Sequence, residues 1–163
     1  MRKPGLVILT LSLALGLAAC GFRLAGTFDL PEQLSEMYVS HSGFDEAQRR
    51  SLQRRLTQAG ASLVEATNTD AVRLNVRLER LADRQMATGA GSGANVQRIT
   101  RQLDFSLYAA DGKVILPQRR LTQHRDATLD DDNLLSSDRE RESVARDLEN
   151  ALFDQMIRQL SLI

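Results

Sequence analysis

Few residues in this chain have the types and spacing to do chemistry. His41 and His124 are its only imidazoles. They are far apart in sequence and neither sits in an HExxH pair, so each is read as a strand residue with a local partner rather than a ligand or base. No serine stands in a GxSxG elbow. Asp130-Asp131-Asp132 offers carboxylates to a hard cation. The run lacks the alternating ligands of a calcium loop, which makes it a solvated acidic connection. Gly89, Gly91 and Gly93 are not a phosphate loop, because strand patterns flank them on both sides. The expectation is a non-enzyme, with no catalytic residue and no metal site.

Cys20 is the only cysteine among 163 residues, which excludes an internal disulfide and a multi-cysteine zinc site. It closes Leu17-Ala18-Ala19-Cys20, after Arg2, Lys3 and an apolar run from Leu6 to Leu17. That run is too short for a membrane-spanning helix, which needs about 20 residues, but it suits a signal peptide, residues 1–19. The pattern is similar to a bacterial lipobox. The likeness implies a diacylglycerol on the Cys20 sulfur, cleavage before Cys20, and acylation of the freed amine. No other cofactor is expected. Several acyl chains anchor a protein firmly where one does not. Gly21 stands where an Asp would resemble an inner-membrane retention signal, so the expected destination is the outer membrane, facing the periplasm.

Charge narrows the partners. The 21 basic and 21 acidic residues cancel, which argues against nucleic acid. Loss of residues 1–19 leaves 144 of the 163 and removes Arg2 and Lys3, so 19 basic residues face 21 acidic ones, a net −2. All but two of the basic residues are Arg, whose planar fork suits phosphate better than Lys does. Arg73 and Arg77 share a strand face. Arg84, Arg98 and Arg101 flank the glycine stretch, and Arg119, Arg120 and Arg125 follow on a later strand. These are candidate contacts for an anionic glycolipid headgroup. The plainer reading is a set of solvated faces in an Arg-rich chain.

The elements that must position them follow from periodicity. Residues 20–34 read as an acylated tether, and 35–41 as a short strand. Residues 45–59 read as a helix, with Leu52, Leu56 and Ala59 on one face and Gly60 as its C-terminal cap. In 71–81, Val72, Leu74, Val76 and Leu78 alternate with polar residues, a half-buried strand. Residues 88–95 form a connection. Leu103, Phe105 and Leu107 repeat the alternation, Asp111-Gly112 marks a hairpin, and 114–125 returns as a strand with Pro117 at an edge or bulge. Ser137 and Glu140 read as a capping box for a last helix. Its stripe is Val144, Leu148, Ala151, Leu152, Met156, Ile157 and Leu160. The expected fold is α+β: a two-layer sandwich with two helices packed on one face of a three- to four-stranded sheet, one domain over 35–163.

Several stretches stand out together: Cys20-Gly21-Phe22-Arg23-Leu24 with Gly26-Thr27 and Leu30-Pro31, then Leu56-Thr57-Gln58-Ala59-Gly60 with Ser62-Leu63-Val64. With Gly112-Lys113-Val114-Ile115-Leu116-Pro117 and Met156-Ile157-Arg158-Gln159-Leu160, they resemble the LPS-assembly lipoprotein family, LptE. The resemblance implies a plug inside the LptD-type outer-membrane β-barrel that helps the barrel assemble and binds lipopolysaccharide during delivery to the cell surface. It departs at the start of the last helix, where Ser136, Ser137 and Asp138 supply no Lys. No helix residue is therefore carried over as a lipid contact, and Arg84, Arg98 and Arg101 remain the candidates. The competing expectation is another periplasm-facing lipoprotein scaffold, such as a secretion-system pilotin.

Overall fold

The computed structural model describes residues 28–88, 94–130 and 133–163. A 3-10 turn (Glu32–Leu34) leads into β1 (Glu36–Ser42), α1 (Glu46–Gln58), β2 (Ser62–Leu63), β3 (Val72–Arg80), β4 (Arg84–Thr88), β5 (Ala94–Tyr108), β6 (Val114–Asp130) and α2 (Leu134–Leu160). Chain packing reaches into the segment before residue 35. Leu34 is fully buried, Phe28 and Leu30 pack against the core, and the Leu30 N–H donates to the Ala59 carbonyl at 2.8 Å.

β5 organises the sheet. Its residues 94–108 pair antiparallel with β6 along one edge, from Ala94↔Asp130 to Tyr108↔Val114. The other edge is shared end to end by β4, through Asn95 to Arg98, and β3, through Arg101 to Tyr108. β1 lies parallel to β3, with α1 as the crossover, and β2 adds two residues beyond β1. Both helices cover one face, as expected. The strand count is the correction: six strands among the described residues, not three or four. β2 is too short to show a period, and β4 has no apolar alternation. The first half of β5 carries polar residues on both sides of Val96 and Ile99, so only its pairing with β4 and β6 identifies it.

Local rules explain the element ends. Asp45 caps α1 through a reciprocal box: its Oδ1 accepts from Gln48 N–H at 2.9 Å, and Gln48 Oε1 accepts from Asp45 N–H at 2.8 Å. The box expected at Ser137 is absent. Asn133 caps α2 instead, accepting from Ser136 N–H at 3.2 Å, which leaves Ser137 buried within the helix. Ala151 is exposed, and Phe153 and Ala145 fill the apolar stripe in its place. Pro117 does fall at a bulge on an edge strand: Phe105 faces Arg119 and Leu107 faces Leu116, so three steps of β6 oppose two of β5.

The interior forms two apolar clusters. The larger joins Met37, Leu74, Val76, Leu103, Phe105 and Leu107 of the sheet to Leu52 and Leu56 of α1 and Leu152, Phe153 and Met156 of α2. Phe44 stacks on Phe153, with ring centroids 5.7 Å apart. The smaller packs Ile99, Ala127 and Leu129 against Val144, Ala145 and Leu148. Each fully buried Leu or Phe contributes roughly 1.5–3 kcal/mol.

Gly43, with φ 77°, turns the chain from β1 toward α1 so close to β3 that an added Cβ would stand 2.1 Å from the Leu78 carbonyl oxygen. Gly60, with φ 97°, has nothing within 4 Å of the same position. Gly60→Ala should therefore cost only the conformational penalty, about 1–2 kcal/mol. Gly43→Ala also forces backbone apart and should cost about 3 kcal/mol or more. Urea unfolding midpoints compare the two, and equal losses would contradict the close approach.

Candidate functional site

The period-two alternation of β3, β5 and β6 turns one face of the sheet to the helices and, among the described residues, leaves the other without a covering layer. That open face is polar along its length. Register places Tyr38, Arg73 and Tyr108 in one row, then Ser40, Asn75 and Ser106. Ser42, Arg77, Asp104 and Arg120 make the next row, followed by Glu79, Gln102 and Thr122. Arg84, Arg98 and Asp126 close it toward the far end. Five arginines face three carboxylates.

Two of those carboxylates are gripped bidentately. Arg120 donates through Nε and Nη2 to the Asp104 oxygens at 2.8 and 2.9 Å, and Gln118 Nε2 adds a bond at 3.2 Å. The Asp104 side chain is only 7% exposed, so its charge depends on that grip. The Arg120 hydrogen bonds hold the Asp104 carboxyl below the usual carboxylate range, against the opposing effect of burial. They also raise the Arg120 guanidinium. Arg98 reaches Asp126 at 2.7 and 2.9 Å, which lowers Asp126 and raises Arg98 in the same way. Arg77 pairs with Glu79 at 2.7 Å, and Gln102 Nε2 donates to Glu79 at 3.0 Å. Arg73 and Arg84 have no ion pair among the described residues. A shallow hollow of about 190 Å³ lies between Ser40, Asn75, Arg77, Asp104 and Gln118. Such a surface can take hydrogen-bond acceptors and anions at its two unpaired guanidiniums.

The structure divides the arginines that flank the glycine stretch. Arg84 and Arg98 are cross-strand partners on the open face. Arg101 is on the other face, 8% exposed, with Nη1 donating to the Thr100 carbonyl at 2.9 Å and Nε 3.4 Å from Glu149 Oε1 on α2. Arg101 and Arg98 differ by an odd number of residues, and on a strand that alone separates their faces. Arg119 and Arg125 run along the helix side, bonded to Gln159 at 3.4 Å and Asp147 at 3.1 Å. The Asp104–Arg120 pair escaped sequence reasoning. Its only signal was an aspartate in the middle of the apolar alternation Leu103, Phe105, Leu107.

Other candidates are placed more simply. His41 Nδ1 lies 3.4 Å from the Val39 carbonyl and its ring meets Phe44 edge-on. His124 sits on the open face beside Asp126. Cys20, the three glycines, Asp131 and Asp132 lie outside the described residues. Among the described residues, no three His, Cys, Asp or Glu are placed to hold a metal ion, and no helix is long and apolar enough to cross a membrane.

The depressed Asp104 carboxyl makes stability depend on pH. Its contribution is complete above the ordinary carboxylate value of about 3.9 and is lost as pH falls through the lower folded value. Asp104→Asn should cost about 1–2 kcal/mol at neutral pH. Because the variant has no such contribution to lose, the gap from the parent should close between about pH 5 and pH 2. Urea titrations across that range measure it; a gap constant with pH would show that the ionised carboxylate contributes nothing.

Solved structures share this fold, three of them as follows. A minor lipoprotein from Acinetobacter baumannii superposes with a TM-score of 0.61 and 18% identity, covering 79% of this chain and 94% of that one. Uncharacterized lipoprotein B from Nitrosomonas europaea gives 0.65 and 18%, covering 86% and 90%. Rare lipoprotein B from Shewanella oneidensis gives 0.61 and 19%, covering 77% and 93%. No curated protein sequence matches the chain. The model of the LptE family, lipopolysaccharide-assembly, matches residues 34–160, from the 3-10 turn to the last residue of α2. The chain belongs to the LptE lipopolysaccharide-assembly family.

Proposed function

We propose that this protein is an acylated, non-enzymatic component of the lipopolysaccharide translocon. Cys20 carries the lipid and anchors it to the outer membrane, on the periplasmic side. The folded domain seats inside an LptD-type β-barrel, assists its assembly, and binds lipopolysaccharide on its way to the cell surface. Family membership over residues 34–160 carries this reading. The open face supports it physically. Barrel interiors are polar, and a sheet face of paired and unpaired arginines can lie against such a wall without setting apolar surface against polar groups or water. Arg84 and Arg98 are the proposed lipid A contacts, since phosphate oxygens suit the guanidinium fork. Arg101, pairing with Glu149 beneath α2, serves the fold instead.

Crosslinking in cells tests the partner. A photoreactive residue at Asn75 or Thr122, both on the open face, should capture an LptD-type barrel; capture of a secretin ring or of cell wall would overturn the proposal. Cys20→Ser should abolish labelling with radioactive fatty acid, and persistent labelling would remove the anchor from the reading. Arg84→Glu combined with Arg98→Glu should weaken binding of purified lipopolysaccharide by about tenfold. Unchanged binding with an intact fold would take the lipid contact away from these two residues.

A further inference from the structure

Most of the exposed large apolar side chains among the described residues lie toward the two ends of the long axis, while Leu81 sits midway, where β3 gives way to β4 beside β5. Met86, Leu134 and Leu135 mark one end; Val114, Ile115, Leu162 and Ile163 mark the other. The latter four belong together because α2 runs back along β6: Gln123 bonds Gln155 at 3.1 Å and Arg119 bonds Gln159 at 3.4 Å. The start of β6 and the end of α2 therefore share an end. The chain enters the fold there too. The Arg158 guanidinium lies over the Phe28 ring, 4.8 Å from its centroid, and Leu162 is one helical turn beyond Arg158.

Distance decides which end an anchor can bring to a membrane. Phe28 is eight residues after Cys20, and a fully extended chain covers at most about 29 Å over that span. α2 has 27 residues and so is about 40 Å long. Standing the domain on its Leu134 end would lift Phe28 by that length, beyond the reach of the tether. Side-chain chemistry favours the same end. Lys113, the only lysine besides Lys3, directly precedes Val114, and Arg158 sits beside Phe28. Cations with apolar stems next to exposed apolar groups are the arrangement of an interfacial surface.

We propose that, before the domain is seated in its barrel, the end formed by Val114, Ile115, Leu162 and Ile163, beside Phe28, rests on the lipid leaflet that holds the acyl chains of Cys20, with Lys113 and Arg158 at headgroup level. This rests on the acylation of Cys20 proposed above. Because the chain contains no tryptophan, single substitutions report without background. The acylated protein, residues 20–163, is placed in phosphatidylethanolamine–phosphatidylglycerol vesicles with brominated acyl chains. Leu162→Trp and Val114→Trp, both at exposed positions, should lose about half their emission or more, and Leu134→Trp should keep its own. The mass of the purified protein is measured first, and a missing acyl mass overturns the Cys20 reading and with it the seating. With the acyl mass present, unquenched emission at 114 and 162, or equal quenching at 134, overturns the seating alone.

Discussion

The structure depends on β5 being paired along both edges. β6 occupies one edge from Ala94 to Tyr108, while β3 and β4 divide the other. A strand held this way has no freedom of register. A slip by one residue would turn Leu103, Phe105 and Leu107 to solvent and drive Gln102, Asp104 and Ser106 against α2. With side-chain period two, the same constraint sorts every neighbouring strand. Leu74, Val76 and Leu78 of β3 must meet the apolar side of β5, so Arg73, Arg77 and Glu79 have only the open face left to occupy.

Between the two apolar clusters the chain departs from this sorting. Arg101 follows the helix-facing parity of β5, so its guanidinium lies under α2, opposite Glu149 with side-chain exposures of 10% and 6%. Desolvating two charges costs several kcal/mol per ion, and a pair of this kind seldom returns more than it costs. Its effect is on specificity. Arg101 can be buried only where Glu149 meets it, and this ties the position of α2 along the sheet to one alignment. The groove of about 660 Å³ beside the pair is lined by charged residues from both helices, including Arg54, Arg141 and Glu142, and by Arg80 of β3. α1 and α2 thus do not close on each other with apolar groups at this end, and the pair does the aligning that a continuous core would do.

How much was legible followed from which physical signals are local. The α1 segment is readable because Leu52, Leu56 and Gly60 obey rules that act within a few residues, and β3 because its alternation is unbroken from Val72 to Glu79. β4 is not, since Arg84–Thr88 is a strand only by virtue of β5 beside it. The start of α2 is not legible, because Ser137 and Glu140 satisfy the capping pattern, whereas the helix begins four residues after Asp130, at the first position where Asn133 can cap it. The arginines show the same division. That Arg73 and Arg77 share a face follows from spacing; that Arg98 and Arg101 do not follows from it equally, but only once both are known to lie on a single strand.

A sheet with one greasy and one charged face ordinarily meets water on the charged side, and many two-layer folds stop there. Here the charged side is more ordered than solvent contact alone would call for. Exposed ion pairs are worth little because long side chains must be held in one geometry. Yet Asp104 and Asp126 are each held through both oxygens by one guanidinium, Gln118 braces Asp104 further, and Gln102 donates to Glu79. Arg is the side chain whose fork makes such bracing possible, and a Lys at position 98 or 120 would hold its carboxylate at one point only. The consequence is a flat, prearranged field of donors in which the two unpaired members, Arg73 and Arg84, stand at opposite ends of the face. Binding a large polar or anionic surface to such a field leaves few side chains to be ordered, which removes a main cost of association. This suits a domain whose partner is broad and rigid better than one that must close around a small molecule.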